Sequence, residues 1–268
     1  MKKPTSRIAI LGAGNIGLSI AEGIRAAGMA EGRVIVTRKR NQFSTMENRM
    51  FSCVTDNRLA VSLSDIVIVA VRPNQAEDLL EEIHEPLQPR HLVISVVTGV
   101  PITRMEKILG QVAITRAMPN TAIRVRQSMT ALAFNSEAEK HQTLVESLFG
   151  SVGLTLRVPE NRFPEATGLF ASGIAFGLEY MRGYQQSGIQ HAFNEHEALM
   201  IAAQVMKGAA MLVQDGNRHP EMEIDKVTTT RGCTIDGVVE LVHAGLKSAT
   251  HRGMDVCIAK AHLLDEKK

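Results

Sequence analysis

Gly12, Gly14 and Gly17 stand in the run Gly12-Ala13-Gly14-Asn15-Ile16-Gly17, directly after the short, mostly apolar stretch Arg7 to Leu11. At this spacing each glycine has a separate task in holding a dinucleotide. The first permits a tight turn, the second lets a pyrophosphate approach the backbone, and the third lets a helix pack closely on a strand. The helix expected next, with Ser19 to Ala27 in it, points unpaired N–H groups at the phosphates. The alternative is a glycine-rich turn that packs for its own sake.

The cofactor is read from the end of the following strand, Val34 to Val36. An NAD site usually carries Asp or Glu about 20 residues past the glycines, where it accepts hydrogen bonds from ribose hydroxyls. Here that region is Thr37-Arg38-Lys39-Arg40, without a carboxylate. Guanidinium groups match a phosphate bidentately, and Thr37 adds a hydroxyl donor, so NADP is favoured over NAD. The alternative is that two of the three cations merely solvate a loop.

The elements that must position these groups alternate between strand and helix. Ile66-Val67-Ile68-Val69-Ala70-Val71, within Ser62 to Val71, is the continuous apolar run of a strand buried on both faces. His91 to Val97, Val112 to Thr115, Met129 to Phe134 and Leu154 to Val158 read as further strands, with helices at Gln75 to Ile83, Ile102 to Leu109 and Glu137 to Phe149. The pattern is α/β, a Rossmann-type doubly wound sheet. Near Pro159 the composition changes, and the rest reads as all-α: Pro164 to Gln186, Glu195 to Gln214, Ile235 to Leu246 and Lys247 to Leu264. We expect a dinucleotide-binding domain over 1–160 and an all-helical substrate and dimerisation domain over 161–268. Small residues at Gly168, Ala171, Gly173, Ala175 and Gly177 imply close helix packing or a ligand pressed against the helix. A helical domain with long apolar faces is also a natural surface for a homodimer or higher homo-oligomer.

Composition narrows the remaining classes. With 268 residues, 44% hydrophobic and 22% charged, the chain can build two domains. A net charge of +2 does not argue for nucleic acid. Cys53, Cys233 and Cys257 are three in number, far apart and without CxxC, so neither a disulfide framework nor a zinc site is suggested and a cytoplasmic setting fits. The nine histidines form no metal-binding spacing such as HExxH, and no metal is expected. Met1 to Ser6 precede only a strand-length apolar run, not a signal peptide's core, and no run approaches the roughly 20 apolar residues of a membrane span.

Further stretches resemble pyrroline-5-carboxylate reductases. Ala70-Val71-Arg72-Pro73 is similar to the family's Ala-Val-Lys-Pro, and Arg116-Ala117-Met118-Pro119-Asn120-Thr121 matches its Arg-Ala-Met-Pro-Asn-Thr without a change. Val227-Thr228-Thr229-Thr230-Arg231-Gly232-Cys233-Thr234-Ile235-Asp236 stands where the family carries a Ser-Pro-Gly-Gly-Thr-Thr-Ile loop opening a helix. The resemblance implies reduction of a cyclic imine, 1-pyrroline-5-carboxylate, to proline by hydride from NADPH. It adds Ala70, Val71, Arg72, Pro73, Met118, Pro119 and Asn120 to the cofactor contacts, and places the substrate at the interface of the two domains. Carried over by position, the substrate's carboxylate and ring nitrogen are met by Thr229, Gly232, Cys233 and Thr234, with Thr234 contacting the nitrogen. Thr234 would equally serve as N-cap of a helix beginning at Ile235.

Two departures bear on the substrate. The loop's Pro-Gly is Thr230-Arg231 here; Arg231 binds a substrate carboxylate or points to solvent. Where the family reads Ser-Gly-Ser-Gly-Pro-Ala-Tyr, this chain has Phe170-Ala171-Ser172-Gly173-Ile174-Ala175-Phe176, which keeps Ser172 as a substrate contact but loses two hydroxyls. A non-catalytic relative that uses the cofactor fold for binding or regulation is the alternative. A β-hydroxyacid dehydrogenase is disfavoured, because no lysine lies between Pro164 and Gln190.

Overall fold

The computed structural model describes residues 6–38, 51–216 and 218–266. Eight strands, β1 (Ile8–Leu11), β2 (Ile35–Thr37), β3 (Ser52–Val54), β4 (Ile66–Val69), β5 (Leu92–Ser95), β6 (Ala113–Met118), β7 (Ser128–Phe134) and β8 (Gly153–Arg157), form one sheet ordered β3-β2-β1-β4-β5-β6-β7-β8. β1 to β6 pair in parallel, β7 runs antiparallel to β6, and β8 is parallel to β7. The order reverses beside β1, which is where an open α/β sheet forms a crevice at its strand ends.

The apolar runs are continuous because successive side chains serve two cores. Ile8, Ile10, Ile66, Ile68, Leu92 and Ile94 point to a cluster shared with Ile20 and Ile24 of α1 (Asn15–Ala26). Their neighbours Ala9, Leu11, Val67, Val69 and Val93 point to the other face. There they meet helices that follow α2 (Asn57–Ser62), namely α3 (Ala76–His84), through Leu79, Leu80 and Ile83, and α4 (Ile102–Leu109), through Met105 and Leu109. α5 (Gln142–Gly150) returns to the first face with Val145, Leu148 and Phe149. A period-2 strand covered on both sides needs no polar alternation.

β3 and α2 are additions to the sequence reading, and both are short. β3 is a half-buried strand at the sheet edge, and α2 begins after Asp56, whose carboxylate caps the Leu59 N–H at 3.0 Å. The helix expected from Glu137 starts instead at Gln142, after a 3₁₀ segment, Ser136–His141, that Asn135 caps through the Ala138 N–H at 3.0 Å. The long run expected from Pro164 is broken into α6 (Phe163–Ala166), a π-helical segment over Thr167–Ser172, and α7 (Gly173–Gln190). α8 (Glu195–Gly216), α9 (Pro220–Val227), α10 (Cys233–His243) and α11 (Leu246–Glu266) follow. α9 is a further addition, opened by Pro220 in its first turn.

The chain divides into two compact units, one of Met1–Ser172 with Cys257–Lys268 and one of Gly173–Val256. This division falls later than the compositional change, because Phe163 and Ala166 are buried in the core behind the sheet. The first unit also keeps the end of α11. Arg116 on β6, only 1% exposed, pairs there with Asp265 at 3.0 Å and with Glu160 at 3.3 Å, its guanidinium stacked 4.5 Å from the Phe163 ring. The close packing expected of the small residues holds at Gly168, where a Cβ would come within 2.6 Å of Ile258, and does not hold at Gly177, where nothing lies within 4 Å. The second unit buries little of its apolar surface. Leu178, Met200, Leu212 and Val242 are each more than half exposed, against Ala198 and Ala202 buried between α7 and α8.

Candidate functional site

The three glycines do three different things. Gly12 has φ +105°, and a Cβ there would lie 2.6 Å from the Ala70 carbonyl oxygen, so the turn and its approach to the next strand both exclude a side chain. Gly17 sits in the first turn of α1, where a Cβ would strike the Gly12 carbonyl at 2.3 Å. Gly14 has open space around it: nothing lies within 4 Å of where its Cβ would be. Packing explains two of the glycines and leaves the middle one without a protein neighbour. Gly14 is also the N-cap of α1, where no side chain caps the helix and no acid occupies its first turn. Asn15 is exposed beside it, while Ile16 turns onto the core. That leaves a helix N-terminus suited to an anion.

This turn opens onto a cavity of about 280 Å³. Its lining includes Gly12, Ala13 and Gly14 of the turn, Ala70, Val71 and Arg72 after β4, and Thr37, Arg38 and Asn57. Pro73 does not line it and instead starts a 3₁₀ turn over Pro73–Gln75. Arg38 is exposed. Lys39 and Arg40, the other two cations of the cofactor reading, lie outside the described residues.

Thr37 takes a different part from the expected one. It is only 2% exposed; its hydroxyl accepts from the Gly12 N–H at 3.3 Å and donates to Asn57 Oδ1 at 2.6 Å, which commits its single hydrogen. It therefore fixes the turn and Asn57 in place of donating to a phosphate. The Asn57 side-chain amide in turn donates to both Glu82 oxygens, at 3.1 and 3.2 Å. Asn57 and Glu82 both line the cavity, and sequence reading missed both. The Asp56 cap ahead of an apolar run was a usable signal for Asn57; nothing local marks Glu82.

Met118, Pro119 and Asn120 are not brought to this cavity. They are buried at the end of β6 and beyond it, where Asn120 accepts from the Ala122 N–H at 3.0 Å and donates to the Phe170 carbonyl at 3.0 Å. Phe170 is half-buried against the core, so the residue that replaces a family serine serves packing, and Ser172 closes the π-helical segment at the edge of the first unit.

The second group of predicted residues lies in the second unit. Thr229, Thr230 and Arg231 are exposed, and the Gly232 N–H donates to the Thr229 carbonyl at 2.9 Å, closing a four-residue turn. Arg231 has φ +60°, the left-handed conformation that a type II turn demands at its third position and that glycine adopts most cheaply. Arginine holds this conformation at a cost. A Cβ on Gly232 would lie 2.4 Å from the Thr229 hydroxyl, so that hydroxyl is held over the glycine. α10 begins at Cys233 with Gly232 as its N-cap and no side-chain cap. Thr234 is therefore inside the first turn, which removes the N-cap role considered for it. Cys233 is exposed.

No helix among the described residues is long and apolar enough to cross a membrane. Residues 160–264 match the family model described as pyrroline-5-carboxylate reductase dimerisation, and residues 7–99 match NADP oxidoreductase coenzyme F420-dependent. Pyrroline-5-carboxylate reductase 1 of Dictyostelium discoideum is 40% identical over 100% of this chain, which spans 51% of that relative's length. Pyrroline-5-carboxylate reductase 2 of the same organism is 34% identical over 97% of this chain and 93% of its own. A pyrroline-5-carboxylate reductase structure from Coxiella burnetii superposes with a TM-score of 0.92 at 28% identity, covering 98% of this chain and 99% of that one.

Proposed function

The chain belongs to the pyrroline-5-carboxylate reductase family, and on that premise we propose that it reduces 1-pyrroline-5-carboxylate, or a closely related cyclic imine, to proline or the matching imino acid with a hydride from NADPH. The observation that carries this reading is Gly14, a glycine that no protein atom requires, at the uncapped N-terminus of α1 in the lining of a cavity. A pyrophosphate fits there, against the backbone and the positive end of the helix. Arg38 in the cavity lining, with no acid in the sequence directly after β2, favours a 2'-phosphate.

The bound dinucleotide supplies the hydride, and the chain's own groups bind and orient. A protonated imine is already a strong electrophile, so positioning and charge do most of what is required. Thr229 and Thr234 offer hydroxyls and Cys233 a backbone N–H group at the N-terminus of α10, where a carboxylate is welcome, while the Gly232 N–H is spent on the Thr229 carbonyl. Arg231 adds a cation on the same turn. The helical unit's exposed apolar side chains suit a second copy of the chain, which makes a homodimer or higher homo-oligomer part of the proposal. A cytoplasmic setting is proposed on the separated, free cysteines.

The test is NADPH oxidation with pyrroline-5-carboxylate and a panel of other cyclic imines. Turnover is expected on at least one. Tight NADPH binding with no turnover on any would leave a non-catalytic dinucleotide-binding relative, a reading that the strained Arg231 and the lost hydroxyls at Phe170 and Phe176 favour.

A further inference from the structure

We propose that Glu82 is the ribose-side carboxylate of the dinucleotide site, supplied from α3 through Asn57 in place of the acid missing at the end of β2, and that it moderates the preference for a 2'-phosphate. The inference rests on the dinucleotide reading of the cavity. A Rossmann-type site that binds an unphosphorylated ribose places a carboxylate at the end of β2. Here that strand ends in Thr37, and the described residue that follows is a cation, Arg38.

A relay of side chains nevertheless ties a carboxylate to that strand end through two hydrogen bonds. The Gly12 N–H donates to Thr37 Oγ1 at 3.3 Å, that hydroxyl donates to Asn57 Oδ1 at 2.6 Å, and Asn57 Nδ2 donates to Glu82 Oε1 and Oε2 at 3.1 and 3.2 Å. Each link fixes the next. The Glu82 carboxylate only accepts, so Asn57 turns its amide nitrogen toward it and its oxygen toward the Thr37 hydroxyl. Gly12, Thr37, Asn57 and Glu82 all line the one cavity, and Glu82 is exposed to its solvent. Asp78, one turn earlier on α3, also faces the cavity. Glu82 differs in being tied to the end of β2.

Charge then decides between cofactors. A carboxylate accepts hydrogen bonds from a ribose diol and repels a phosphate that carries nearly two negative charges. Arg38, which lines the same cavity, acts in the opposite sense. The site is balanced between the two, and wild-type protein is expected to bind NADH as well as NADPH.

The experiment is fluorescence titration of the full-length protein with NADPH and with NADH at low salt, for wild type, Glu82→Gln and Glu81→Gln. The amide at position 82 keeps the size of the side chain and an acceptor for Asn57. Glu82→Gln is expected to shift the ratio of the two dissociation constants about fivefold toward NADPH, with the shift shrinking as salt screens the charge. Glu81→Gln removes the same charge from the same helix outside the cavity lining and is expected to leave the ratio unchanged. An unchanged ratio in Glu82→Gln, or an equal shift in both variants, overturns the proposal. Wild-type protein that binds neither dinucleotide instead overturns the cofactor reading beneath it.

Discussion

The glycine turn at residues 12–17 and the turn at residues 229–232 are both backbone devices that open a helix N-terminus, yet they are built to different tolerances. In the first, Gly12 takes the positive φ, Gly17 takes the close contact, and a buried threonine locks the loop to the next strand. In the second, an exposed arginine holds the positive φ and most of the surrounding side chains face solvent. A site enclosed by its own unit's core is over-determined. A turn whose side chains face solvent leaves room for substitution, and one of the chain's departures from the family's pattern, Thr230-Arg231, falls there.

Substitutions can break or sharpen that contrast. The largest effect is expected from Gly12→Ala, which puts a Cβ 2.6 Å from the Ala70 carbonyl on a residue at φ +105°. Strain and clash together should cost about 3 kcal/mol or more in urea unfolding, and a variant of wild-type stability would show that the turn is not locked. Thr234→Ala is next. Loss of a pocket hydrogen bond worth about 1 to 3 kcal/mol should lower kcat/KM with pyrroline-5-carboxylate, with little change in melting temperature because Thr234 is not the cap. Unchanged kinetics would remove it from the site.

Gly14→Ala separates ligand from packing. With nothing within 4 Å of the new methyl, stability should change by under about 1 kcal/mol. The NADPH dissociation constant should rise about tenfold, as a methyl displaces the pyrophosphate from the backbone. Undiminished affinity would mean that the middle glycine is not reserved for a ligand. The smallest effect belongs to Arg231→Gly, which relieves a left-handed residue at φ +60° and should gain about 0.5 to 1 kcal/mol, part of the relief being offset by a looser unfolded chain. A lower melting temperature would show that the arginine's side chain contributes more than its backbone costs.

Much of the sheet was legible because its signals are local. Ile66 to Val69 and Leu92 to Ile94 are continuous apolar runs, as expected of strands covered on both faces. β3, α2 and α9 escaped because three, six and eight residues carry too little periodicity to stand out from a loop. In the hexapeptide from Arg116 to Thr121, a perfect motif match concealed different tasks. Arg116 is a buried clasp for Asp265 and Glu160, and Asn120 braces the start of the next turn.

By itself the sequence determined the dinucleotide turn, since a positive φ and a close helix contact are properties of a glycine and its immediate neighbours. It also determined the family, and the run of helices after the sheet. Only the tertiary structure decided how the hydroxyl of Thr37 is spent, which acid Asn57 bonds, and that Thr234 lies within a helix and not at its cap. Those are allocations of single hydrogen atoms and charges among residues far apart in the chain. They depend on which side chains the sheet and its helices bring within 3 Å, and no local pattern of residues encodes that distance.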